Sequence, residues 1–202
     1  MIKIVIASGN QGKIKEFQTL LPSFDVLTFK ELLGDMDIVE DGNTFKENAI
    51  IKAKTINEKL IKKYPNENFL VISDDSGISV KALNNEPNIY SARYAGINSS
   101  DTKNNEKLIK NLKEKNITSS DAFYTACICI AYNEDIYTTH GWMHGSVTTI
   151  AKGNNGFGYD PLFIPKGLSK TLGELEFGYK KELSHRTKAL NLAMMIISNI
   201  LK

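Results

Sequence analysis

A short apolar run at the start of the chain sets the first constraint on the fold. Residues 2–7 are mostly β-branched and end at Ser8-Gly9-Asn10, the pattern of a buried strand that runs into a turn. The next apolar residues stand three and four positions apart, as on one face of a helix: Ile14, Phe17, Leu20 and Leu21. Pro22 ends that pattern. A strand followed directly by an amphipathic helix predicts an α/β fold.

A second helix and an interior strand follow. Thr44 and Glu47 have the spacing of a capping box, in which each side chain satisfies the other residue's backbone donor. The helix then carries an apolar face: Ala49, Ile50, Ala53, Ile56 and Leu60. Residues 69–72 are continuously apolar, as interior strands are, and carry Asp74 and Asp75 to the strand's carboxyl end. Open α/β sheets usually bind ligands at that edge.

The second half of the chain adds two helices and a hairpin. Residues 99–101 are candidate caps for a third helix. Residues 122–132 and 136–149 are β-rich and joined by a short polar turn, which predicts a β-hairpin. A last helix begins near Ser184 and shows an apolar stripe with a 3.6-residue period: Ala189, Leu190, Ala193, Ile196, Ile197 and Ile200. We therefore predict an α/β fold with a mixed sheet flanked by helices.

Composition limits the class of protein. With 202 residues, 42% hydrophobic and 24% charged, the chain has the profile of a water-soluble globular protein. It has no repeat, low-complexity tract or linker, so we predict a single domain over residues 1–202. The net charge of +2 is too small for charge alone to imply binding to nucleic acid or an anionic membrane. Five lysines of the third helix are read as a solvated face rather than a nucleic-acid patch: Lys103, Lys107, Lys110, Lys113 and Lys115.

Location and cysteine usage give further expectations. Residues 2–7 are far too few to span a membrane and lack the layout of a signal peptide, so we expect a cytoplasmic protein. Cys127 and Cys129 alternate in an apolar run without a second cysteine pair, so neither a zinc site nor a disulfide framework is expected. Buried, reduced thiols are favoured over a redox role.

The turn after the first strand has features that suit phosphate. Ser8-Gly9-Asn10-Gln11-Gly12-Lys13 combines two glycines, backbone N–H groups, a helix N-terminus and a lysine. Its Gly-x-x-Gly-Lys spacing differs from the Walker A loop, and Ile14 stands where that loop has Ser or Thr. A tight turn with a surface lysine is the alternative.

An acidic cluster is the second candidate site. Glu40-Asp41-Gly42 precedes the capped helix, and Asp74-Asp75-Ser76-Gly77 follows the interior strand. Because like charges repel, such a cluster implies a cation, a proton or solvation. Mg²⁺ prefers one or two carboxylates plus waters and substrate phosphates, which Glu40 and Asp75 would suit. An Asx turn and cap is the alternative.

A glycine-rich loop is the third candidate. Gly153-Asn154-Asn155-Gly156-Phe157-Gly158-Tyr159-Asp160-Pro161 offers close backbone approach, two aromatic faces and a carboxylate. An aromatic ring stacks on a base, and polar groups read its edge. The alternative is a glycine loop with packed aromatic residues.

The start of the last helix is the fourth candidate site. Lys180 and Ser184-His185-Arg186 bring several donors to a helix N-terminus, where base carbonyls or phosphates bind. His185 is alternatively a neighbour of the cap. Lys52, one turn after Asn48, either reaches the same site or lies on the surface.

Six motifs occur in order: Ser8-Gly9-Asn10-x-Gly12-Lys13-x-x-Glu16, Glu40-Asp41-Gly42-x-Thr44-Phe45-x-Glu47-Asn48-Ala49, Asp74-Asp75-Ser76-Gly77, Ser91-Ala92-Arg93-Tyr94-Ala95-Gly96, Gly156-Phe157-Gly158-Tyr159-Asp160-Pro161 and Ser184-His185-Arg186. Together they resemble the Ham1 family of inosine triphosphate pyrophosphatases. The resemblance extends from residue 2 to the final helix.

The resemblance implies a homodimeric α/β protein with a long mixed sheet and two lobes around a central active-site cleft. It implies magnesium-dependent hydrolysis of ITP, dITP and XTP to the nucleoside monophosphate and pyrophosphate. Such an activity would clear deaminated purines from the nucleotide pool.

By matching positions, the resemblance assigns Glu40 and Asp75 to Mg²⁺, and Asp75 also to the general base. Lys13 and Lys52 would stabilise charge in the transition state. Substrate contacts would come from Ser8, Gly9, Asn10, Gln11, Gly12, Lys13, Ser76, Phe157, Gly158, Tyr159, Asp160, Lys180, His185 and Arg186.

Two positions depart from the family's pattern. Ser8 stands where Thr is common and keeps the hydroxyl, and Tyr179 stands before Lys180 where an acid is frequent.

Discrimination between purine bases would follow from hydrogen-bond donors. A 6-oxo purine accepts from donors such as His185 or Arg186, whereas adenine would leave them unpaired, at a cost of about 1–3 kcal/mol.

Two alternatives remain at this stage. A Maf-like pyrophosphatase of other modified nucleotides differs in its base preference. A non-catalytic nucleotide-binding module would use the glycine loops without breaking a phosphate bond. The acidic pair together with several cationic donors argues against the second.

Overall fold

A computed structural model describes residues 2–22 and 24–201, with the side chains of Glu16 and Leu20 left out. The expectations for those two side chains lie outside the described residues. The strands are β1 (Ile2–Ile6), β2 (Val26–Thr28), β3 (Asn68–Val80), β4 (Ser119–Tyr132), β5 (Asp135–Thr148) and β6 (Phe163–Pro165). The helices are α1 (Gln11–Leu20), α2 (Phe29–Leu33), α3 (Phe45–Lys63), α4 (Asp101–Glu114), α5 (Phe177–Leu183) and α6 (His185–Ile200).

The six strands form one sheet in the order β2-β1-β3-β4-β5-β6. β1 runs parallel to β2 and β3, whereas β6 runs antiparallel to β5. β4 and β5 are joined by Asn133 and Glu134, and Asn133 takes the positive φ of 53° that tight hairpin turns favour. The predicted α/β fold with a mixed sheet flanked by helices is therefore confirmed.

The chain forms two compact units. The first contains the chain up to Asp75, Cys127–His140 and the chain from Ala189 onward; the second contains Ser76–Ala126 and Gly141–Lys188. Three strands pass from one unit to the other along their length, namely β3, β4 and β5. The second unit has its own apolar core, with Leu108, Leu112 and Phe163 fully buried.

The sequence predicted that Asp74 and Asp75 lie at the end of a strand, but the structure places them inside a longer one. β1 pairs with β3 only from Asn68 to Ile72, but β3 continues to Val80. The strand continues because β4 lies on its other side, so the pairing of β3 does not depend on β1. Asp74 and Asp75 thus follow the last residue paired in parallel, inside a longer strand.

The predicted caps of α3 and α4 are observed, with one difference, and Asn10 is a further cap that the sequence analysis did not predict. Asn10, Thr44 and Ser100 cap α1, α3 and α4 through their side chains. Thr44 Oγ1 accepts the Glu47 N–H at 3.1 Å. Glu47 Oε2, however, accepts from Asn43 N–H at 2.7 Å, so the reciprocal capping box is replaced by a bond one residue earlier.

Two smaller expectations are also met. Cys127 and Cys129 are free and buried on β4, and burial raises the pKa of each thiol to about 12. The five lysines of the α4 region are exposed. Among the described residues, none of the helices has the length and apolar character that a membrane crossing needs.

Candidate active site

The turn between β1 and α1 is held by its own side chains. Ser8 Oγ accepts the Asn10 N–H at 3.2 Å, and Asn10 Oδ1 accepts the Lys13 N–H at 3.1 Å. Two of the N–H groups expected to face phosphate are therefore used inside the turn. The N–H groups of Gln11 and Gly12 begin α1, where no helical partner exists for them, and they point out from the helix N-terminus.

Lys13 is not a surface lysine. Its Nζ lies 2.6 Å from Asp74 Oδ2, and the two side chains are 15% and 0% exposed. Asp74 therefore has a clear structural partner, which the sequence had left unassigned. The pair fixes the Lys13 ammonium beside the acidic residues of β3.

Lys52 lies between the two carboxylates that the sequence assigned to the metal. Its Nζ donates to Glu40 Oε2 at 2.7 Å and to Asp75 Oδ1 at 3.1 Å. The side chain is only 9% exposed, which excludes the surface alternative. Burial alone would lower the pKa of Lys52, but the charges of Asp75 and Glu40 more than offset it and raise that pKa.

Asp75 occupies an unusual electrostatic position. Burial raises the pKa of its carboxyl, Lys52 and Lys13 oppose that rise, and Glu40 and Asp74 add to it, so the pKa lies above its ordinary value. Oδ1 faces Lys52, whereas the buried Oδ2 has no hydrogen-bond partner among the described residues. An acceptor oxygen left in this way is available to a cation, a water or a substrate group.

These residues fit a divalent cation. Three carboxylates, of Glu40, Asp74 and Asp75, share two lysines, which leaves one excess negative charge. Within the part of the chain that the structure describes, no three His, Cys, Asp or Glu side chains are grouped to hold a metal. Mg²⁺, however, needs only one or two carboxylates, completed by waters and phosphate oxygens. The two carboxylates are supplied by the partly exposed Glu40 and by Asp75, whose Oδ2 has no partner among the described residues.

The segment that carries Glu40 is held by α3. Asn48 Oδ1 accepts the Gly42 N–H at 2.9 Å. A Cβ at Gly42 would lie 2.7 Å from Glu47 Cβ and 2.8 Å from Asn48 Oδ1, so only glycine fits. Asn48 and Lys52 are both buried. Two polar residues four apart on the buried face of a helix were the sequence signal for this arrangement.

The second unit contains a separate polar cluster, built on the loop of residues 153–161. Lys180 Nζ lies 2.5 Å from Asp160 Oδ2, with both side chains almost buried. Asp160 Oδ2 also accepts the Phe157 N–H at 3.2 Å. Gly156 takes a φ of +90°, and a Cβ there would lie 2.0 Å from Asp160 Oδ2 and 2.1 Å from Lys180 Nζ. The ion pair therefore requires glycine at this position.

One turn of α4 clamps the same loop. Asp101 Oδ2 accepts the Gly158 N–H at 2.7 Å, and Asn105 Nδ2 donates to the Gly158 carbonyl at 3.0 Å. Both backbone groups of Gly158 are thus held by residues four apart on one helix. Sequence reasoning missed this function of Asp101 and Asn105, although their spacing places them on one helix face.

The two aromatic residues of the loop differ in exposure. Phe157 is 42% exposed and offers its ring to a ligand. Tyr159 is buried, and its hydroxyl donates to the Ser91 carbonyl at 2.8 Å. Its predicted substrate contact stays a prediction.

His185 and Arg186 are buried at the start of α6. The His185 ring stacks on Tyr124, with centroids 4.8 Å apart and planes at 13°. Arg186 Nη2 donates to Ser76 Oγ at 3.0 Å, and its Cζ lies 6.0 Å from the centre of the Phe157 ring. The structure thus brings together four residues that the sequence had predicted and adds Tyr124. The four are Ser76, Phe157, His185 and Arg186. Nothing in its sequence context marked Tyr124, which lies in an ordinary β-rich run.

A cavity of about 420 Å³ lies elsewhere in the second unit. It is lined mainly by the starts and ends of strands: Lys81, Asp121, Phe123, His144, Ser146, Ile164 and Lys166. None of the predicted site residues borders it. The chemistry of the predicted residues, rather than cavity size, therefore identifies the candidate site.

Comparison with known proteins decides the family. The model of the Ham1 family matches residues 4–195. The chain belongs to the Ham1 family. A dITP/XTP pyrophosphatase of Aliarcobacter butzleri is 56% identical over 99% of this chain and 100% of its own length. A dITP/XTP pyrophosphatase of Sulfurovum sp. is 56% identical over 97% of this chain and 93% of its own length.

Solved structures of Ham1 family members have the same fold. The Staphylococcus aureus Ham1 protein superimposes with a TM-score of 0.84 at 40% identity, covering 98% of both chains. A Coxiella burnetii HAM1 protein gives 0.85 at 33% identity, covering 98% of this chain and all of its own. Membership of the Ham1 family sets aside the Maf-like alternative.

Proposed function

We infer that this Ham1 family protein hydrolyses noncanonical purine nucleoside triphosphates, namely ITP, dITP and XTP, to the nucleoside monophosphate and pyrophosphate. The observation that carries this inference is the near full-length identity of 56% to proteins named dITP/XTP pyrophosphatase. The reaction breaks a phosphoric anhydride bond and removes deaminated purines from the nucleotide pool. The arrangement of side chains supports the following assignment of residues to each part of the reaction.

The cluster of the first unit is assigned to the triphosphate. The N–H groups of Gln11 and Gly12 and the ammonium of Lys13 combine a helix N-terminus with a positive charge. The turn of Ser8, Gly9 and Asn10 shapes this anion site. Lys13 and Lys52 are held rigidly by carboxylates, so they stabilise the charge that builds up as the anhydride bond breaks, with little reorganisation.

Magnesium dependence is part of the proposal. Glu40 and Asp75 would hold the ion, supported by the unpartnered buried Oδ2 of Asp75. When bound, Mg²⁺ neutralises phosphate charge and orients the reacting groups. Lys52 already bridges the same two carboxylates, so it keeps both side chains in place for a cation.

Asp75 is proposed as the general base that accepts a proton from the attacking water. A base works best when its pKa lies near the working pH, and burial moves the pKa of Asp75 upward in that direction. Lys52, in contact with Oδ1, keeps the carboxylate oriented and ionised. Asp74 pairs with Lys13, whereas Asp75 lies beside Glu40 through their shared Lys52, at the proposed metal site.

The cluster of the second unit is assigned to the base. Donors from His185 and Arg186 suit the 6-oxo group of hypoxanthine or xanthine, whereas adenine has an amino group there. The exposed Phe157 ring offers a stacking face, and Asp160 with Lys180 offers an acceptor and a donor. Gly158 and Ser76 complete the polar surface. An unpaired buried donor is costly, so this arrangement disfavours ATP.

A cytoplasmic homodimer is the last part of the proposal. Tyr137, Leu192 and Met195 of the first unit are 37%, 50% and 68% exposed, which suits a covered surface. Two free, buried thiols fit a reducing compartment. A sedimentation measurement that gave the monomer mass at micromolar concentration would contradict the dimer.

The test is a panel of nucleoside triphosphates with and without Mg²⁺, in which pyrophosphate and orthophosphate are measured separately. We expect pyrophosphate from ITP, dITP and XTP, little from ATP and GTP, and none after removal of the metal with a chelator. Equal rates for ITP and ATP would overturn the substrate assignment. Orthophosphate as the product would indicate cleavage of the terminal bond, and binding without products would support the non-catalytic alternative.

A further inference from the structure

Tyr124 connects two elements of the second unit to which base recognition is assigned. Its ring stacks face to face on His185, at 4.8 Å and 13°, and meets Phe163 edge-on at 4.8 Å. Phe163 in turn donates its backbone N–H to the Tyr159 carbonyl at 3.1 Å, within the loop that carries Phe157 and Asp160. One buried side chain on β4 therefore packs on the start of α6 and, through Phe163, on the glycine-rich loop.

The physical effect of this contact is orientation. An imidazole ring at a helix start has two soft side-chain torsions, and its donor points usefully only in a narrow range of ring angles. A parallel aromatic neighbour restricts the ring to one plane, and Phe163 fixes that neighbour in turn. Burial raises the pKa of the Tyr124 phenol, so the residue stays neutral and holds His185 by its ring face.

We propose that Tyr124 is a positioning residue for purine selectivity, which holds the His185 ring in the plane needed to donate to a 6-oxo group. This inference rests on the proposed function, since it needs His185 to read the base. Tyr124 contributes its ring to His185 rather than an atom to the substrate.

The experiment measures kcat/KM for ITP and ATP in the full-length protein with Mg²⁺. The ratio of the two values is insensitive to the folded fraction, because lost protein lowers both in proportion. The variants are Tyr124→Phe, which keeps the stacking ring, and Tyr124→Leu and Tyr124→Met, which remove it. Phe69→Leu is the matched control, since Phe69 is a buried aromatic of the first unit, packed against Tyr64.

We expect the ITP/ATP ratio to fall by about threefold to tenfold in Tyr124→Leu and Tyr124→Met, the usual range for a lost aromatic pair. It should stay near the wild-type value in Tyr124→Phe and in Phe69→Leu. In a His185→Ala background the same Tyr124 changes should leave the ratio unaltered, because their effect passes through His185.

Several results would overturn the inference. One is a wild-type ratio retained in both Tyr124→Leu and Tyr124→Met. Another is an equal fall in Tyr124→Phe, which would place the effect in the hydroxyl. A third is an undiminished fall in the His185→Ala background. Failure of the proposed function is distinguishable from all three, because the wild-type protein itself would then show no preference for ITP.

Discussion

Individual residues in the acidic segment of β3 have separate roles although they are neighbours. Asp74 is paired with Lys13, whereas Asp75 shares Lys52 with Glu40. The sequence singled out all five of these residues, but in three separate candidate sites: Lys13 in the phosphate turn, the three carboxylates in the acidic cluster, and Lys52 beside the start of the last helix or on the surface. It did not show the pairing, because two adjacent aspartates are equivalent until the surrounding lysines are placed. Side-chain packing in three dimensions, not composition, decides which lysine each carboxylate pairs with.

The first prediction concerns Asp75→Asn. The amide keeps the shape but is a poor metal ligand and no base, so we expect kcat to fall by at least about 100-fold. Nucleotide binding should partly survive, because Lys13 and the α1 N-terminus are unchanged. Turnover of ITP and calorimetric binding measure the two effects. Asp35→Asn, at an exposed ion pair with Lys30, is the control, and near-normal turnover in Asp75→Asn would remove its assigned roles.

Gly156→Ala tests the loop of the second unit. The new methyl group would collide with Asp160 Oδ2 and Lys180 Nζ, so the ion pair must separate. If the pair serves base recognition, the ITP/ATP ratio of kcat/KM should fall by about tenfold, the effect of losing one buried polar contact. Gly34→Ala introduces the same kind of strain, at φ +78°, into open space. Gly34→Ala should lower the free energy of unfolding and leave the ITP/ATP ratio unchanged. Equal ITP/ATP ratios in Gly156→Ala and Gly34→Ala would contradict the role of the ion pair between Asp160 and Lys180.

The hydrophobic periodicity of the sequence predicts only some of the helices and strands that position the site residues. The apolar stripes of α1, α3, α4 and α6 were readable because burial repeats every three or four residues. The short elements β2, α2, β6 and α5, by contrast, were not identified. Such segments hold too few side chains to show a period, and contacts with the rest of their unit stabilise them. The length of β3 was also missed, because residues 73–75 are polar and yet buried within a sheet.

The clamp of α4 on Gly158 gives a prediction at this scale. Asn105→Ala removes the bond to the Gly158 carbonyl and loosens the loop that carries Phe157 and Asp160. We expect KM for ITP to rise by about threefold to tenfold, the effect of one net hydrogen bond, with kcat little changed. Steady-state kinetics measure both constants. Thr102→Ala, at an exposed position of the same helix, should leave KM unaltered, and an unaltered KM in Asn105→Ala would show that the clamp is dispensable.

The whole molecule combines a fold that local patterns predict with a division into units that local patterns do not show. The order of strand, helix, strand and hairpin was sufficient to predict a mixed α/β sheet, and six ordered motifs identified the family. Only the family resemblance implied two lobes; the boundary between the two units left no local signal, since no linker marks it and three strands pass through it. Boundaries of this kind are made by contacts distant in the sequence, which local patterns do not encode.

Thiol reactivity provides a test on the scale of the whole fold. Cys127 and Cys129 are fully buried on β4 at the point where it enters the first unit, and the pKa of each is about 12. At pH 8 we expect neither thiol to react with an aromatic disulfide reagent within an hour in the native protein, and both to react at once in denaturant. Absorbance of the released thiolate counts them. Rapid reaction of either in the folded protein would show that β4 opens locally.

The continuous course of β3 has a consequence for how chains of this kind can vary. Successive residues of a strand point to opposite faces, so a shift of one position exchanges every side chain between the two faces. Asp75 ends the first unit's part of β3 and Ser76 begins the second's. An insertion or deletion of one residue between Ile72 and Val80 would therefore misdirect the carboxylate proposed to hold the metal and the apolar residues of the core together. Length variation is expected to concentrate in the surface connections, while the number of residues in this strand stays constant.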